Sequence, residues 1–222
     1  VLGVSRDITP RKYAEELLVV QRDLARALSA ATSLDEAMAL CLETAIKGTK
    51  MDSGGVYLKD PDTGGLKLVC HRGLSDEFVD KVSYYSPDTQ PYRMAMEGKP
   101  IYPEFRNLSG GFIDTVQEEN VKVLASIPIV HKGKVVAAMN VASHTRNDIA
   151  PAARNVLESI GAQMGDVIIR LETMEALRKS EEQFRKMIDN SPIPIALLDS
   201  AANRFTYFNK TLIHTLGYTL DD

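Results

Sequence analysis

Apolar positions recur at spacings of three and four towards both ends of the chain and alternate with polar ones in its middle, which predicts long helices flanking a sheet. Thr9 followed by Pro10 reads as a helix N-cap with proline in the first turn. From there to about Ala31, Leu17, Val20, Leu24, Ala27 and Ala31 carry a helical stripe. Ser33, with Glu36 three residues on, predicts a capping box for a second helix starting at Leu34. Ala37, Met38, Leu40, Cys41, Leu42, Ala45 and Ile46 give that helix a broad apolar face, and Gly48 is expected to end it.

The middle of the chain reads as two hairpins separated by irregular chain. Gly55–Leu58 and Leu66–His71 flank the turn Asp60-Pro61-Asp62-Thr63-Gly64-Gly65. Simple alternation sets Leu66, Leu68 and Cys70 on one face and Lys67, Val69 and His71 on the other. Ser75 caps a short helix through Val82. Residues 83–120 hold Pro87, Pro91, Pro100, Pro103 and Gly110-Gly111, which predicts irregular backbone with one short helix at Tyr92–Glu97. A stretch that long inside a compact domain is expected to cover a ligand. Val123–Val130 and Val135–Ser143 predict the second hairpin, whose nearly continuous apolar content points to a central, covered place in the sheet.

From Ala150, with Pro151 at its start, Val156, Leu157, Ile160, Met164, Val167, Leu171 and Met174 mark a long helix. The stripe then slips: Leu177, Phe184 and Ile188 continue it on a shifted line, with Glu181 at an apolar position. A helix to about Asn190 is roughly 60 Å long at 1.5 Å per residue, more than one domain of this size needs as core. A homodimer through the terminal helices is therefore expected, with Leu24, Leu28, Ile160, Met164, Val167, Leu171, Met174 and Leu177 as dimer or relay positions. The plainer reading of Leu24 with Leu28, and of Ile160 with Met164, is packing within one chain. Asn190 to Pro194 stops the helix; Ile195–Asp199 and Phe205–Asn209 read as two short strands before a helix start.

Composition narrows the function. The 222 residues are 44% apolar and 25% charged with formal net charge −4, so no clustered basic surface points to nucleic acid. No apolar run approaches the roughly 18 residues of a membrane span, and the opening residues lack the pattern of a signal peptide. The first residue is Val, which fits a piece of a longer protein. Two cysteines, Cys41 and Cys70, make no disulfide framework, and a reducing cytoplasm is the expected setting.

The order helix, helix, hairpin, helical insert, hairpin, long helix resembles the GAF domain over about residues 22–172. The telling pieces are Leu66 through Ser75, Glu97-Gly98-Lys99-Pro100-Ile101, and Leu124 through Asn140 with Ser126-Ile127-Pro128-Ile129 and Gly133-Lys134-Val135-Val136. The resemblance implies an α+β fold: an antiparallel sheet flanked by helices, with long terminal signalling helices. Gly3 through Thr9 resembles the end of a PAS domain; Ser180 through Arg185 and Asn209 through Thr219 resemble the beginning of another. The expected division is a PAS end at 1–9, a linker helix at 10–31, a GAF domain at 32–172, a linker helix at 173–190 and a truncated PAS start at 191–222. PAS–GAF–PAS strings are typical of sensor histidine kinases and related phosphorelay proteins, so the expected neighbours are PAS and kinase modules.

The chemistry is read within that resemblance. None of His71, His131, His144 and His214 has the setting of a kinase phosphoacceptor, and no phosphate-binding glycine loop occurs, so the chain is not expected to be an enzyme. The family's cyclic-nucleotide signature is absent between Tyr84 and Asn120, and residues 83–120 hold no cysteine for bilin attachment. Haem is an alternative, with Cys70, His71 and His144 as ligand types against the plain reading of a packed cysteine and solvated histidines. A free methionine sulfoxide reductase would need cysteines at the lid, where there are none. A ligand pocket is expected between sheet and insert, lined by Tyr84, Tyr85, Tyr92, Met96, Phe105 and Phe112 with Ser126 and Asn140; the plain reading of the same residues is core closure. The function these features imply is a sensory or relay module, with or without a small ligand, set against a purely structural spacer.

Overall fold

A computed structural model of the chain describes residues 22, 24–103 and 111–217. The PAS-like opening, the helix start at Thr9-Pro10, Leu17, Val20 and Phe105 lie outside the described residues. Two compact units divide between Leu171 and Glu172.

The first unit opens with α1 (residues 24–30) and α2 (Leu34–Thr49). The α2 cap forms as the sequence predicts: Glu36 N donates to Ser33 Oγ at 3.2 Å. The Glu36 carboxylate reaches one residue further back than expected, accepting from Thr32 N at 3.1 Å. Gly48 does not end the helix. Lys50 does, in the left-handed region at φ 57°, while Gly48 lets α2 approach a later helix, since a Cβ there would lie 3.2 Å from Val156 Cγ1.

There follow β1 (Ser53–Lys59), β2 (Leu66–Arg72), α3 (Asp76–Val82), β3 (Tyr84–Tyr85), α4 (Gln90–Met96), α5 (Gly111–Glu118), β4 (Val123–His131), β5 (Lys134–Ser143) and α6 (Pro151–Asp189). The region expected to be irregular thus holds β3, α4 and α5. Its prolines and glycines punctuate elements rather than abolish them: Pro91 sits in the first turn of α4, behind the Thr89 N-cap.

The sheet is antiparallel in the order β3-β2-β1-β5-β4. Its centre is β1, not the hairpin of residues 121–144. β4 is an edge strand, buried because α6 covers one face and because Ile101 bridges Ser126, with N–H···O bonds of 2.9 and 2.8 Å. Pro128 is tolerated there because an edge strand has a side without ladder bonds. Lys132 and Gly133, both at positive φ, form the two-residue turn between β4 and β5.

The sheet has a layer of helices on each face. Val56, Ile127, Ile129, Met139 and Val141 face α1, α2 and the start of α6, where Leu28, Met38, Leu42, Leu157, Ile160 and Met164 are fully buried. Tyr57, Leu66, Ala138, Leu124 and Ala142 face α3, α4 and α5. A β-bulge at Val69 breaks the expected alternation on β2. Val56 pairs with Cys70 but Tyr57 with Leu68, so Leu68 packs on the α3–α5 side and Cys70 on the α2 side. α6 lies directly on β4. A Cβ at Gly165 would sit 2.3 Å from the Val130 carbonyl oxygen, and one at Gly161 would sit 2.7 Å from Ile127 Cγ2.

The second unit holds the end of α6, β6 (Ala196–Asp199), β7 (Arg204–Phe208) and α7 (Lys210–Leu216). Its organising side chain is the fully buried Asn209. Asn209 Oδ1 accepts from Ile195 N and Leu212 N, capping α7, and Nδ2 donates to the carbonyls of Ile188 and Ile193. One amide thereby ties the end of α6 to the hairpin and to α7. Tyr207 Oη donates to Asp189 alongside.

Candidate functional site

A cavity of about 30 Å³ lies between the sheet and the helices α3 and α5. The sheet contributes Gly54, Gly55, Tyr57, Leu124, Asn140 and Ala142. Leu74, Phe78, Phe112, Val116 and Val121 close it from above, and Tyr85 closes one side. The backbone explains the placement. On β5, Ala138, Asn140 and Ala142 share one face by period-two alternation, while Ala137, Met139 and Val141 face the opposite helical layer.

The cavity is apolar and uncharged. The Tyr57 and Tyr85 rings stack with centroids 5.1 Å apart, and Phe112 meets Tyr85 edge-on at 6.3 Å. Burial raises the Tyr57 phenol well above its ordinary pKa, and the neighbouring Tyr85 raises it further. Burial likewise pushes Tyr85 up to about 12. Neither phenol ionises near neutrality.

One group in the cavity has no counterpart. Asn140 Oδ1 is buried with no hydrogen-bond partner among the described residues. A buried acceptor left unmet costs about 1–3 kcal/mol, so this oxygen is a seat for a water or for the donor of a ligand.

A second, open depression of about 440 Å³ adjoins the first through Tyr85 and Phe112, and also takes in Tyr84, Lys81, Thr89 and Gln90. Lys81 is held there by Glu77 at 2.9 Å and Glu118 at 2.8 Å.

Of the residues expected to line a pocket, Tyr85, Phe112 and Asn140 line the cavity and Tyr84 the depression. Tyr84 also donates to Thr63 Oγ1 at 2.7 Å, covering the first hairpin turn. Tyr92 and Met96 pack into the core around Tyr57, and Ser126 sits opposite Asn140 on β4. Sequence reasoning missed Tyr57, Phe78, Val116, Val121 and Leu124. For α5 the signal was present: Phe112, Ile113 and Val116 have helical spacing.

The residues named for haem line neither the cavity nor the depression. Cys70 packs on the far side of the sheet near Cys41, whose thiol is pushed up to about 12, first by burial and then by Cys70. His71 is exposed on β2. His144 is held by Asp52, which accepts from its ring Nδ1 at 2.6 Å and its backbone N–H at 3.0 Å, and its Nε2 lies 3.9 Å from Glu119. These residues and a cavity of this size do not fit a haem. Neither cysteine reaches the cavity, so the arrangement a sulfoxide reductase needs is not present among the described residues.

The seam residues separate into two groups. Leu24, Leu28, Ile160, Met164 and Leu171 are buried within the chain, and Val167 is half-buried. Met174 and Leu177 are 54% and 60% exposed, as are Phe184 and Met187 beyond them at 54% and 70%. No helix among the described residues is long and apolar enough to cross a membrane.

Comparisons with known proteins bear on the fold. The PAS domain pattern matches residues 182–222. No curated protein matches the chain in sequence. A domain ascribed to a two-component sensor histidine kinase protein from Sinorhizobium meliloti 1021 is 20% identical, covering 67% of this chain and 99% of that one, with TM-score 0.57. The GAF domain of a phosphoenolpyruvate-protein phosphotransferase from Coxiella burnetii is 16% identical, covering 73% and 98%, with TM-score 0.61. The chromophore-binding domain of a bacteriophytochrome from R. palustris is 16% identical over 73% of this chain and 63% of that one, with TM-score 0.61. At these identities the likeness is one of fold. The GAF domain pattern matches residues 31–169, more than half of the sequence, and the chain belongs to the GAF domain family.

Proposed function

We propose that this GAF domain is a sensory relay module of a multi-domain, cytoplasmic sensor protein of the histidine kinase or phosphorelay kind, acting as a homodimer and carrying no catalysis of its own. The observation that carries the reading is the division of α6. Its first half is part of the GAF core, its second half bears the exposed stripe Met174, Leu177, Phe184 and Met187, and its end is fastened to the PAS-like unit through Asn209. A second copy of the chain is the occupant that suits such a stripe, because Met174, Leu177 and Phe184 fall at a and d positions of a heptad, which is self-complementary in a coiled coil; Ile188, expected to continue that line, is buried within the chain instead.

The input is a small, mostly flat apolar molecule with one polar edge. The aromatic walls of Tyr57, Tyr85 and Phe112 supply its contact surface, and the unmet Asn140 Oδ1 takes its donor. Strand β5 carries the consequence across the sheet, since Asn140 and Met139 are adjacent and face opposite layers. Gly165 sets α6 against the backbone of β4 at Val130 and Gly161 seats the Ile127 side chain, so a shift of that strand moves the helix.

Native mass spectrometry of the freshly purified chain tests the reading. A dimer mass is expected, with any bound ligand appearing as excess mass. A clean monomer at micromolar concentration overturns the relay through paired helices.

A further inference from the structure

The cavity is too small for the ligand just described. A cavity that holds a benzene-sized guest measures about 150 Å³, and this one measures about 30 Å³. Something above it must move, and the structure shows what holds it. α3 is fixed at its far end, where Ser83 O accepts from Leu68 N at 2.8 Å and the chain enters β3. α5 ends at Glu118, and Asn120 takes the left-handed conformation at φ 60° before the chain enters β4. At that end two consecutive carboxylates reach away from α5. Glu118 Oε2 accepts from Lys81 Nζ of α3 at 2.8 Å. Glu119 Oε1 accepts from Ser75 N at 2.8 Å, and Oε2 accepts from Ser75 Oγ at 2.5 Å. The same Glu119 lies 3.9 Å from His144, which Asp52 anchors to the sheet.

These carboxylates are in the wrong place for the helix itself. The C-terminal end of a helix carries a partial negative charge that disfavours anions, and eight residues are too few to hold a helix without tertiary contacts. The contacts to Ser75 and Lys81 offset that cost. We infer that α5 is a cap over the cavity, and that Glu118 and Glu119 are the two clasps that hold it shut against α3. This rests on the reading of the cavity as a ligand site. Release of the clasps lifts Phe112 and Val116 from above Asn140 and opens the cavity to the adjoining depression.

The sign of one measurement tests it. Alanine is the better helix former and removes the anion from the negative end of the helix. Were the clasps idle, Glu118→Ala/Glu119→Ala would protect α5 from amide hydrogen exchange. The clasps predict the reverse: exchange over residues 111–120 faster on the order of tenfold, with β1 and β5 amides unchanged and the fluorophore ANS now taken up. The exchange-of-charge set Glu77→Lys/Lys81→Glu/Glu118→Lys, which reverses both partners of Lys81, should restore protection that Lys81→Glu or Glu118→Lys alone removes. Unchanged or slower α5 exchange overturns the clasps, as does faster exchange spread through β1 and β5. Local opening without dye uptake leaves the clasps standing but overturns the cap's role and, with it, the reading of the cavity as a ligand site.

Discussion

The two halves of α6 have the same helical backbone and opposite fates. Up to Leu171 its apolar side chains are buried against a sheet: Leu157, Ile160, Met164 and Ile168 are at most 1% exposed. Beyond it, Met174, Leu177, Phe184 and Met187 stand in solvent, between ion pairs such as Arg178 with Glu175 at 2.9 Å. An amphipathic stripe is the same sequence signal in both halves. What differs is whether the chain itself supplies a partner, and spacing alone does not report that. Burial separates a helix that stabilises its own domain from one that waits for another surface.

The comparison breaks most visibly with a matched pair of truncations. Met164→Ala empties a fully packed site and should cost about 2–5 kcal/mol of domain stability. Met174→Ala, the same chemical change ten residues on, should stay within about 0.5 kcal/mol when both variants are unfolded at a concentration low enough to keep the chain monomeric. Urea denaturation of both variants checks this, and equal losses would mean that the two halves are not different in kind.

A smaller effect sharpens the account of the cavity's end of the sheet. Burial pushes the Asp52 carboxyl up, but hydrogen bonds from the Ser143 hydroxyl, the His144 backbone and ring, and the Thr145 hydroxyl outweigh it and hold the group well below the ordinary carboxylate range. A carboxyl lowered on folding stabilises the native state above its unfolded value, about 4, and that contribution is lost as pH falls towards the folded value. Thermal melts should therefore show Asp52→Asn less stable than the parent at pH 7, with the gap narrowing below about pH 4. A gap independent of pH would remove the carboxylate from the account.

Much of the fold was legible because its signals are local. Ser33 and Ser75 cap helices as their sequence neighbours predict, and Lys132-Gly133 turns the second hairpin. The failures have physical causes that are not local. The bulge at Val69 moves Cys70 to the other face of the sheet, and period-two counting cannot see a bulge. The apolar run of β4 looked central because a strand covered on both faces reads the same at the edge of a sheet as in its middle; here α6 covers one face, Val116 of α5 packs on the other, and Ile101 bridges the edge. Tyr57 was missed because its role depends on Tyr85, 28 residues away, coming to stack on it. Asn140 was legible as a polar residue in an apolar strand; that its oxygen has no partner needed the packing around it.

The claim on which the account depends is that the distal half of α6 is a surface between two copies of the chain. Sedimentation velocity on the parent and on Leu177→Glu/Phe184→Glu decides it. The account predicts a dimer for the parent and a monomer for the variant, with the thermal stability of the GAF unit unchanged because neither side chain belongs to its core. A parent that sediments as a monomer, or a variant that keeps the parent's mass, contradicts it.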